Sequence, residues 1–227
     1  MVAAGGALIK PDDRNDKLER YILAACGAAA PQVAFVPTAS GDAADYVDRF
    51  VRAYEPLGAR IRVVPFFART PADLHAAIAG CDVVHVGGGN TRSMLAVWRH
   101  WGFDAVLHAA YERGVLLCGS SAGSICWFEM GVTDSVAGEL TAMECLGFLA
   151  GSHCPHYDGE AERRPSYQRL VASGAICDGI ACDDGVAAHY IDGRLERIVS
   201  GRAGARAYRI ERAGAEAREL PLDPIYL

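Results

Sequence analysis

The chain has 227 residues, of which 51% are hydrophobic and 22% are charged. This composition is typical of a folded globular protein and excludes an intrinsically disordered chain. The formal net charge is −6, and basic residues between Arg194 and Arg218 alternate with glutamates, so we expect no nucleic-acid partner. No apolar run is long enough to cross a bilayer, and Met1–Leu8 lacks the basic start of a signal peptide. We therefore expect a cytoplasmic protein with no membrane partner.

Eight cysteines are scattered along the chain without any C-x-x-C pair. Several, such as Cys118 and Cys177, lie in or beside apolar runs, which predicts reduced cysteines in the core. His153 and His156 are spaced as a possible pair of metal ligands, but no matching Cys/His cluster occurs elsewhere. The sequence therefore predicts no metal site, and we expect no cofactor.

Apolar segments rich in β-branched residues alternate with segments of helical periodicity over the first half of the chain. Strands are predicted at Val33–Pro37, Arg62–Phe66, Val83–Val86 and Val115–Cys118. Helices are predicted at about Ala43–Tyr54, after the Thr70 cap and Pro71, and from Thr91 to Tyr111. Strands that alternate with helices form parallel sheets. We therefore predict an α/β fold, with a mostly parallel sheet covered by helices on both faces, in a single domain spanning residues 1–227.

The C-terminal third of the chain has a different pattern. The apolar segments Val186–Ile191 and Arg194–Val199 are separated by Asp192-Gly193, which is a strong signal for an antiparallel β-hairpin. Residues Ala205–Ile210 form a candidate for one further strand.

The segment Gly119-Ser120-Ser121-Ala122-Gly123 follows an apolar strand directly. This is the G-x-S-x-G pattern of a nucleophile elbow, in which the central serine projects from a sharp turn between strand and helix. Glycine lacks a Cβ atom, so it allows strained backbone angles and close approach of strand and helix. A helix is predicted over Ser124–Met130, with its N-terminus directed at the site. The pattern predicts Ser121 as a nucleophile.

A hydrolytic serine needs a base, and the base needs an acid to orient it. His156 is the best candidate for the base, because it follows an apolar run and Pro155 stiffens the loop; His153 and His189 compete with it. The acid is predicted in the loop after the apolar run 175–181, as either Asp183 or Asp184. The order of serine, histidine and aspartate along the chain differs from that of an α/β-hydrolase, in which the acid precedes the histidine.

A second glycine cluster, Gly87-Gly88-Gly89-Asn90, follows the strand Val83–Val86. It does not match the dinucleotide-binding pattern, so we discount a dinucleotide. An oxyanion hole takes one N–H from the residue after the nucleophile, here Ala122, and a second from a neighbouring loop. The glycine cluster is the predicted source of the second N–H, and Asn90 is predicted to cap the following helix.

These blocks, together with Cys154-Pro155-His156 and Asp184-Gly185, resemble the peptidase E family of aspartyl dipeptidases in the same order along residues 30–190. The resemblance implies a fold like that of class I glutamine amidotransferase and flavodoxin-like domains. It implies Ser121 as nucleophile, His156 as base and Asp184 as the acid, at a position where the best-known members carry glutamate. The other implied site residues are Gly89 and Ala122 as oxyanion donors, Asn90 in the substrate-binding loop, and Arg164 as the reader of the substrate's aspartate side chain.

The predicted function is therefore that of a serine peptidase for short peptides, above all dipeptides with N-terminal aspartate, acting through a Ser-His-Asp triad and an acyl-enzyme. A substrate ammonium group would need an acceptor, for which the acids near in sequence are Asp158, Glu160 and Glu129. The alternatives are a cyanophycinase-like hydrolase, an amidotransferase-like relative, which would need cysteine at the elbow, and a non-catalytic binding protein. We expect a small peptide as the partner and a monomer or homodimer.

Overall fold

The computed structural model describes residues 1–6 and 15–227. The strands are β1 (Val2–Ala4), β2 (Gln32–Val36), β3 (Arg60–Val63), β4 (Val83–Val86), β5 (Leu116–Ser120), β6 (Phe128–Thr133), β7 (Thr141–Glu144), β8 (Leu149–Cys154), β9 (Gly179–Cys182), β10 (Val186–Ile191), β11 (Arg194–Ser200), β12 (Ala207–Ala213), β13 (Glu216–Leu222) and β14 (Ile225–Tyr226). The helices are α1 (Lys17–Ala25), α2 (Ala44–Tyr54), α3 (Leu74–Ile78), α4 (Thr91–Trp101), α5 (Phe103–Glu112), α6 (Ala122–Ile125) and α7 (Arg163–Ser173). None of these helices is long and apolar enough to cross a membrane.

The first sheet has the strand order β14-β11-β10-β1-β5-β4-β2-β3 within the described residues. The five strands from β1 to β3 in this order pair in parallel. Strands β10 and β11 form the predicted antiparallel hairpin, and Asp192 and Gly193 adopt positive φ angles of 49° and 73° in its turn. The predictions of a mostly parallel α/β sheet and of a C-terminal hairpin are confirmed.

Both faces of this sheet are covered, because adjacent strand residues point into two separate hydrophobic clusters. Val83 packs with Ile22 of α1 and Phe50 of α2 on one face. Val84 packs with Trp98 of α4 and the second sheet on the other face. The shared cluster on this second face joins the two sheets; the prediction of a single domain stays a prediction.

The second sheet has the order β13-β12-β9-β8-β6-β7 and was not predicted. The expected helix Ser124–Met130 is wrong, because α6 ends at Ile125 and Phe128 begins β6. Strand β6 pairs with β7 and β8, and a Cβ on Gly131 would lie 2.1 Å from the Ile125 side chain. Long-range pairing therefore outweighs the local helical pattern.

Two other helix predictions need correction. The helix expected from Thr91 to Tyr111 is divided into α4 and α5 by Gly102, whose left-handed φ of 67° ends α4. Helix α3 begins later than the Thr70 cap predicts, because the Asp73 side chain accepts a hydrogen bond from the Ala76 N–H at 2.9 Å.

All eight cysteines are free thiols. Six of them are buried, Cys118 among them, and burial raises the pKa of the Cys118 thiol. Cys177 is exposed, so the expectation that it lies in the core is wrong. It directly follows Ile176, which takes the buried position at that turn.

Candidate active site

The predicted site residues lie where the carboxyl ends of strands from both sheets meet. Strands β1, β4 and β5 of the first sheet end at residues 4, 86 and 120. Strands β8 and β9 of the second sheet end at residues 154 and 182. Loops at the carboxyl ends of parallel strands are the usual place for a binding site in an α/β fold.

Ser121 occupies a strained turn between β5 and α6. Its φ and ψ angles are 56° and −121°, a combination that a non-glycine residue adopts only when the surrounding structure enforces it. The enforcement comes from close packing of the flanking glycines: a Cβ on Gly119 would lie 2.4 Å from the Gly123 carbonyl oxygen, and one on Gly123 would lie 2.1 Å from that of Val86. The G-x-S-x-G pattern thus produces the predicted elbow.

His156 and Asp184 are joined across the site. His156 Nδ1 and Asp184 Oδ1 are 2.7 Å apart, and both side chains are largely shielded, with exposed fractions of 19% and 24%. Asp183 points elsewhere, because its Oδ2 accepts a hydrogen bond from the Arg206 N–H at 2.8 Å. Of the two aspartates that the sequence left open, Asp184 is therefore the one that contacts His156.

The end of β1 connects the serine to the histidine and aspartate. The Ser121 and His156 N–H groups donate to the carbonyls of Ala4 and Gly5, at 3.4 Å and 2.9 Å. The Gly185 N–H donates to the next carbonyl, that of Gly6, at 3.1 Å. Sequence reasoning missed this segment; the signal was the Gly-Gly pair that follows the short apolar run Met1–Ala4.

Gly6 packs directly against the imidazole and the carboxylate. A Cβ there would lie 2.2 Å from Asp184 Oδ1 and 2.3 Å from His156 Cε1, so only glycine fits. No described residue forms a hydrogen bond with Ser121 Oγ, His156 included. Contacts between nucleophile and base often tighten only when substrate binds.

The glycine loop after β4 has three of its four N–H groups engaged within the protein. They donate to the Val36 carbonyl from Gly87, the Tyr46 hydroxyl from Gly88 and the Ala39 carbonyl from Asn90. Gly88 faces the elbow, since a Cβ on it would lie 3.3 Å from Ser121 Cβ.

Gly89 is the member of this loop whose N–H has no acceptor among the described residues. Its φ of 138° and the 2.2 Å separation that a Cβ would have from the Ala39 oxygen both require glycine. Ala122, at the first position of α6, likewise has an N–H without an intrahelical acceptor. Gly89 follows Gly88 and Ala122 follows Ser121, so these two N–H groups come from the two loops that meet at the elbow.

Both polar atoms of the Asn90 side chain have a partner within the protein. Its Oδ1 accepts from the Ser93 N–H at 2.8 Å, which confirms the predicted helix cap, and its Nδ2 donates to the Ser135 carbonyl at 3.0 Å. Asn90 thus fixes the loop that carries Gly89, and its place in substrate binding stays a prediction.

Arg164 forms a bidentate ion pair with Glu219 through its Nε and a terminal nitrogen. Its guanidinium lies above the rings of Tyr157 and Tyr208, at 5.2 and 4.9 Å from their centroids. The hydrogen bond to Glu219 raises the pKa of Arg164 above its ordinary value. A substrate carboxylate would therefore have to replace Glu219 to bind the same edge of this guanidinium.

The competing histidines have structural surroundings. His153 is fully buried, bonds the Ile180 carbonyl at 3.0 Å and stacks on Phe128; burial lowers its pKa to about 3. His189 bonds the Tyr21 hydroxyl at 2.6 Å. Within residues 1–6 and 15–227, no group of three or more His, Cys, Asp or Glu side chains is arranged to hold a metal ion.

The three acids considered for a substrate ammonium group are engaged within the chain. Asp158 contacts Asp184 and Arg202, Glu160 pairs with Arg163 at 2.7 Å, and Glu129 accepts from the Gly151 N–H at 2.8 Å.

The sequence profile of peptidase family S51 matches residues 1–198. The chain belongs to this family. It is therefore a peptidase, and the predicted resemblance to the peptidase E family is confirmed.

Two curated peptidases are similar to this chain in sequence. An uncharacterized peptidase of Bacillus subtilis (strain 168), YgaJ, is 45% identical over 227 residues, which cover 100% of this chain and 98% of that protein. Peptidase E of Citrobacter koseri (strain ATCC BAA-895 / CDC 4225-83 / SGSC4696) is 40% identical over 80 residues, which cover 35% of this chain and 33% of that protein.

Two solved structures share the fold of this S51 peptidase. A peptidase from an acI-B1 Actinobacterium superposes with a TM-score of 0.72 at 13% identity, covering 98% of this chain and 93% of that one. A putative peptidase E from Listeria monocytogenes EGD-e gives a TM-score of 0.57 at 18% identity, with 98% of both chains covered. At these identities the likeness concerns the fold alone.

Proposed function

We propose that this S51 peptidase is a serine-type dipeptidase that works through Ser121, His156 and Asp184. The observation that carries the proposal is the 2.7 Å contact between His156 Nδ1 and Asp184 Oδ1, held by the same strand end as the strained Ser121. A carboxylate on Nδ1 leaves the other ring nitrogen, Nε2, as the proton acceptor for a serine hydroxyl.

The proposed reaction has two stages. Ser121 Oγ attacks the peptide carbonyl carbon while His156 Nε2 takes the hydroxyl proton, and the resulting imidazolium then protonates the leaving amine. The C–N bond breaks and an acyl-Ser121 ester remains. Water attacks the ester, with His156 accepting the water proton and returning it to Ser121 Oγ, which releases the acid and restores the enzyme.

The N–H groups of Gly89 and Ala122 are the proposed donors to the oxyanion. Both lack acceptors among the described residues, whereas the neighbouring N–H groups of the glycine loop are occupied. Donors held rigidly before the reaction stabilise the developing negative charge without reorganisation. This electrostatic stabilisation is usually the largest single contribution to the rate enhancement.

We propose selectivity for N-terminal aspartate, with Arg164 as the reader of its carboxylate. The planar guanidinium suits a bidentate carboxylate contact, and it already forms one with Glu219. In this proposal the substrate carboxylate exchanges with that of Glu219. Cytoplasmic location and a monomeric or homodimeric state stay predictions.

The test of the nucleophile is labelling by a fluorophosphonate combined with turnover of Asp-Leu. Ser121→Ala should abolish labelling and lower kcat by about 10⁶-fold, as loss of the nucleophile does in serine proteases. Ser120→Ala is the matched control, since Ser120 is the adjacent hydroxyl, and it should retain both signals. Labelling and turnover that persist in Ser121→Ala, or vanish in Ser120→Ala alone, would overturn the assignment.

A further inference from the structure

We propose that Asp158 and Arg202 form a positioning pair that holds Asp184 against His156. The inference rests on the proposed function, because it assigns these two residues a role through the acid of the triad. The hydrogen bonds and the ion pair of these two residues go to Asp184 and to each other, so their effect on the reaction would pass through Asp184.

The pair contacts the backbone of Asp184 on both sides. Asp158 Oδ1 accepts from the Asp184 N–H at 2.9 Å, and Arg202 Nε donates to the Asp184 carbonyl at 2.8 Å. An ion pair between a terminal nitrogen of Arg202 and Asp158 Oδ2 joins the two side chains to each other. Both groups of the Asp184 peptide backbone are thus held by side chains of opposite charge that also hold each other.

The location of Asp158 makes the arrangement specific for the triad. Asp158 lies two residues after His156 on the loop that follows β8, whereas Asp184 lies on the loop that follows β9. The first loop therefore contacts Asp184 twice, through the imidazole at its carboxylate and through Asp158 at its backbone N–H. One contact is made by the carboxylate, and the other fixes the backbone from which that carboxylate extends.

Arg202 is itself held by the turn after β11. Ser200 Oγ accepts from the Arg202 N–H at 3.1 Å and donates to the Arg202 carbonyl at 2.7 Å. The Gly201 N–H donates to the Gly185 carbonyl at 2.9 Å, so this turn is bonded to the residue next to Asp184. A Cβ on Gly185 would lie 3.0 Å from Arg202 Cβ, which shows how closely the two loops pack.

Exposed ion pairs contribute little to stability on average, and the Asp158 and Arg202 side chains are 33% and 46% exposed. The pair is therefore expected to affect catalysis more than folding. Displacing a catalytic group by about 1 Å can lower the rate by about 10²-fold. Loss of the pair should act on kcat in this way and leave KM almost unchanged.

The experiment measures kcat and KM for Asp-Leu with Asp158→Ala, Arg202→Ala and Arg202→Lys, alone and in an Asp184→Ala background. Asp158→Ala and Arg202→Ala should each lower kcat by up to about 10²-fold. Arg202→Lys keeps the charge at Asp158 and should restore part of kcat. Arg218→Ala, which breaks the remote ion pair with Glu211, is the control and should match the wild type.

The Asp184→Ala background distinguishes a positioning role of Asp158 and Arg202 from a role in stabilising the fold. Once Asp184 is absent, Asp158→Ala should lower the residual rate no further, whereas a structural defect would lower it equally in both backgrounds. Wild-type kcat in Asp158→Ala beside a greatly reduced kcat in Asp184→Ala would overturn the positioning pair and leave the triad. Wild-type kcat in Asp184→Ala would overturn the proposed triad itself. If Asp158→Ala does not fold, the effects of Arg202→Ala and Arg202→Lys on kcat are compared in the presence and absence of Asp184 instead.

Discussion

Ser121 and His156 donate their backbone N–H groups to adjacent carbonyls of one strand end, those of Ala4 and Gly5. The serine comes from β5 of the first sheet and the histidine from the loop after β8 of the second sheet. Residues 4–6 thus act as a common support for groups that are far apart in the sequence. These backbone hydrogen bonds hold the proposed nucleophile and the proposed base at the same strand end.

Gly6→Ala should disable the enzyme while leaving most of the fold intact. The added methyl would overlap His156 Cε1 and Asp184 Oδ1, at 2.3 and 2.2 Å, so the imidazole and carboxylate must separate. A displacement of about 1 Å predicts a loss of kcat of about 10²-fold or more. Steady-state kinetics and thermal unfolding together would measure this.

Gly27→Ala is the control for that change, because a Cβ there meets nothing within 4 Å, although its φ of 74° predicts a small loss of stability. Full activity in Gly6→Ala would contradict the need for close packing of Gly6 against His156 and Asp184.

Asp184→Asn should lower kcat by about 10⁴-fold, because an amide cannot stabilise the imidazolium and favours the wrong tautomer of His156. Asp183→Ala should instead lower the unfolding temperature and leave kcat near the wild-type value. Asp183 is 5% exposed and bonds the Arg206 N–H, so its removal leaves that donor unpaired. Kinetics and calorimetry on both variants test this prediction. A large loss of kcat in Asp183→Ala together with a wild-type kcat in Asp184→Asn would contradict it.

Local patterns predicted the parts of the structure that depend on short stretches of chain. The elbow at Ser121 needs glycines at fixed spacing, and the hairpin turn at Asp192-Gly193 needs two residues with positive φ. The roles of Ser121, His156 and Asp184 came from motif order and stay predictions; the contact between His156 and Asp184 is a feature of the structure.

The parts that the sequence did not predict depend on long-range pairing. Strand β1 is three residues long, yet it lies between β5 and β10 because those strands satisfy its backbone on both sides. The first half of strand β6, Phe128–Met130, was predicted as helix, since nothing within Phe128–Thr133 signals its partners β7 and β8. Likewise the ion pair between Arg164 and Glu219 joins residues that are 55 positions apart in the sequence.

Stability should fall as the pH decreases from about 6.5 to 5, because two histidines are buried in the neutral form. Burial lowers the pKa of His85 and His153 to about 3 in the folded protein, whereas the pKa of an unfolded histidine is about 6.5. Below that pH the unfolded chain binds protons that the folded chain does not. Each histidine then lowers the free energy of unfolding by up to about 1.4 kcal/mol per pH unit.

Urea unfolding at pH 7, 6 and 5 measures this slope. His153→Asn, which removes one buried titratable ring, should make the decrease shallower, whereas His108→Asn should not, because the His108 side chain is 53% exposed. A free energy of unfolding that stays constant between pH 7 and 5 would contradict the burial of neutral histidines.

Substrate selectivity should depend on the exchange of carboxylates at Arg164. In the structure Glu219 occupies the guanidinium, so a substrate aspartate gains only the difference between the two contacts. Arg164→Ala should therefore remove the preference for Asp-Leu over Asn-Leu, a loss of about tenfold or more in relative kcat/KM. Glu219→Gln weakens the competing contact and should lower KM for Asp-Leu while changing KM for Asn-Leu little.

The control is Arg169→Ala, which removes an exposed arginine on the same helix and should leave kcat/KM for both substrates unchanged. An unchanged preference in Arg164→Ala, or equal KM shifts for both substrates in Glu219→Gln, would remove Arg164 from substrate recognition and leave a serine peptidase without the aspartyl specificity.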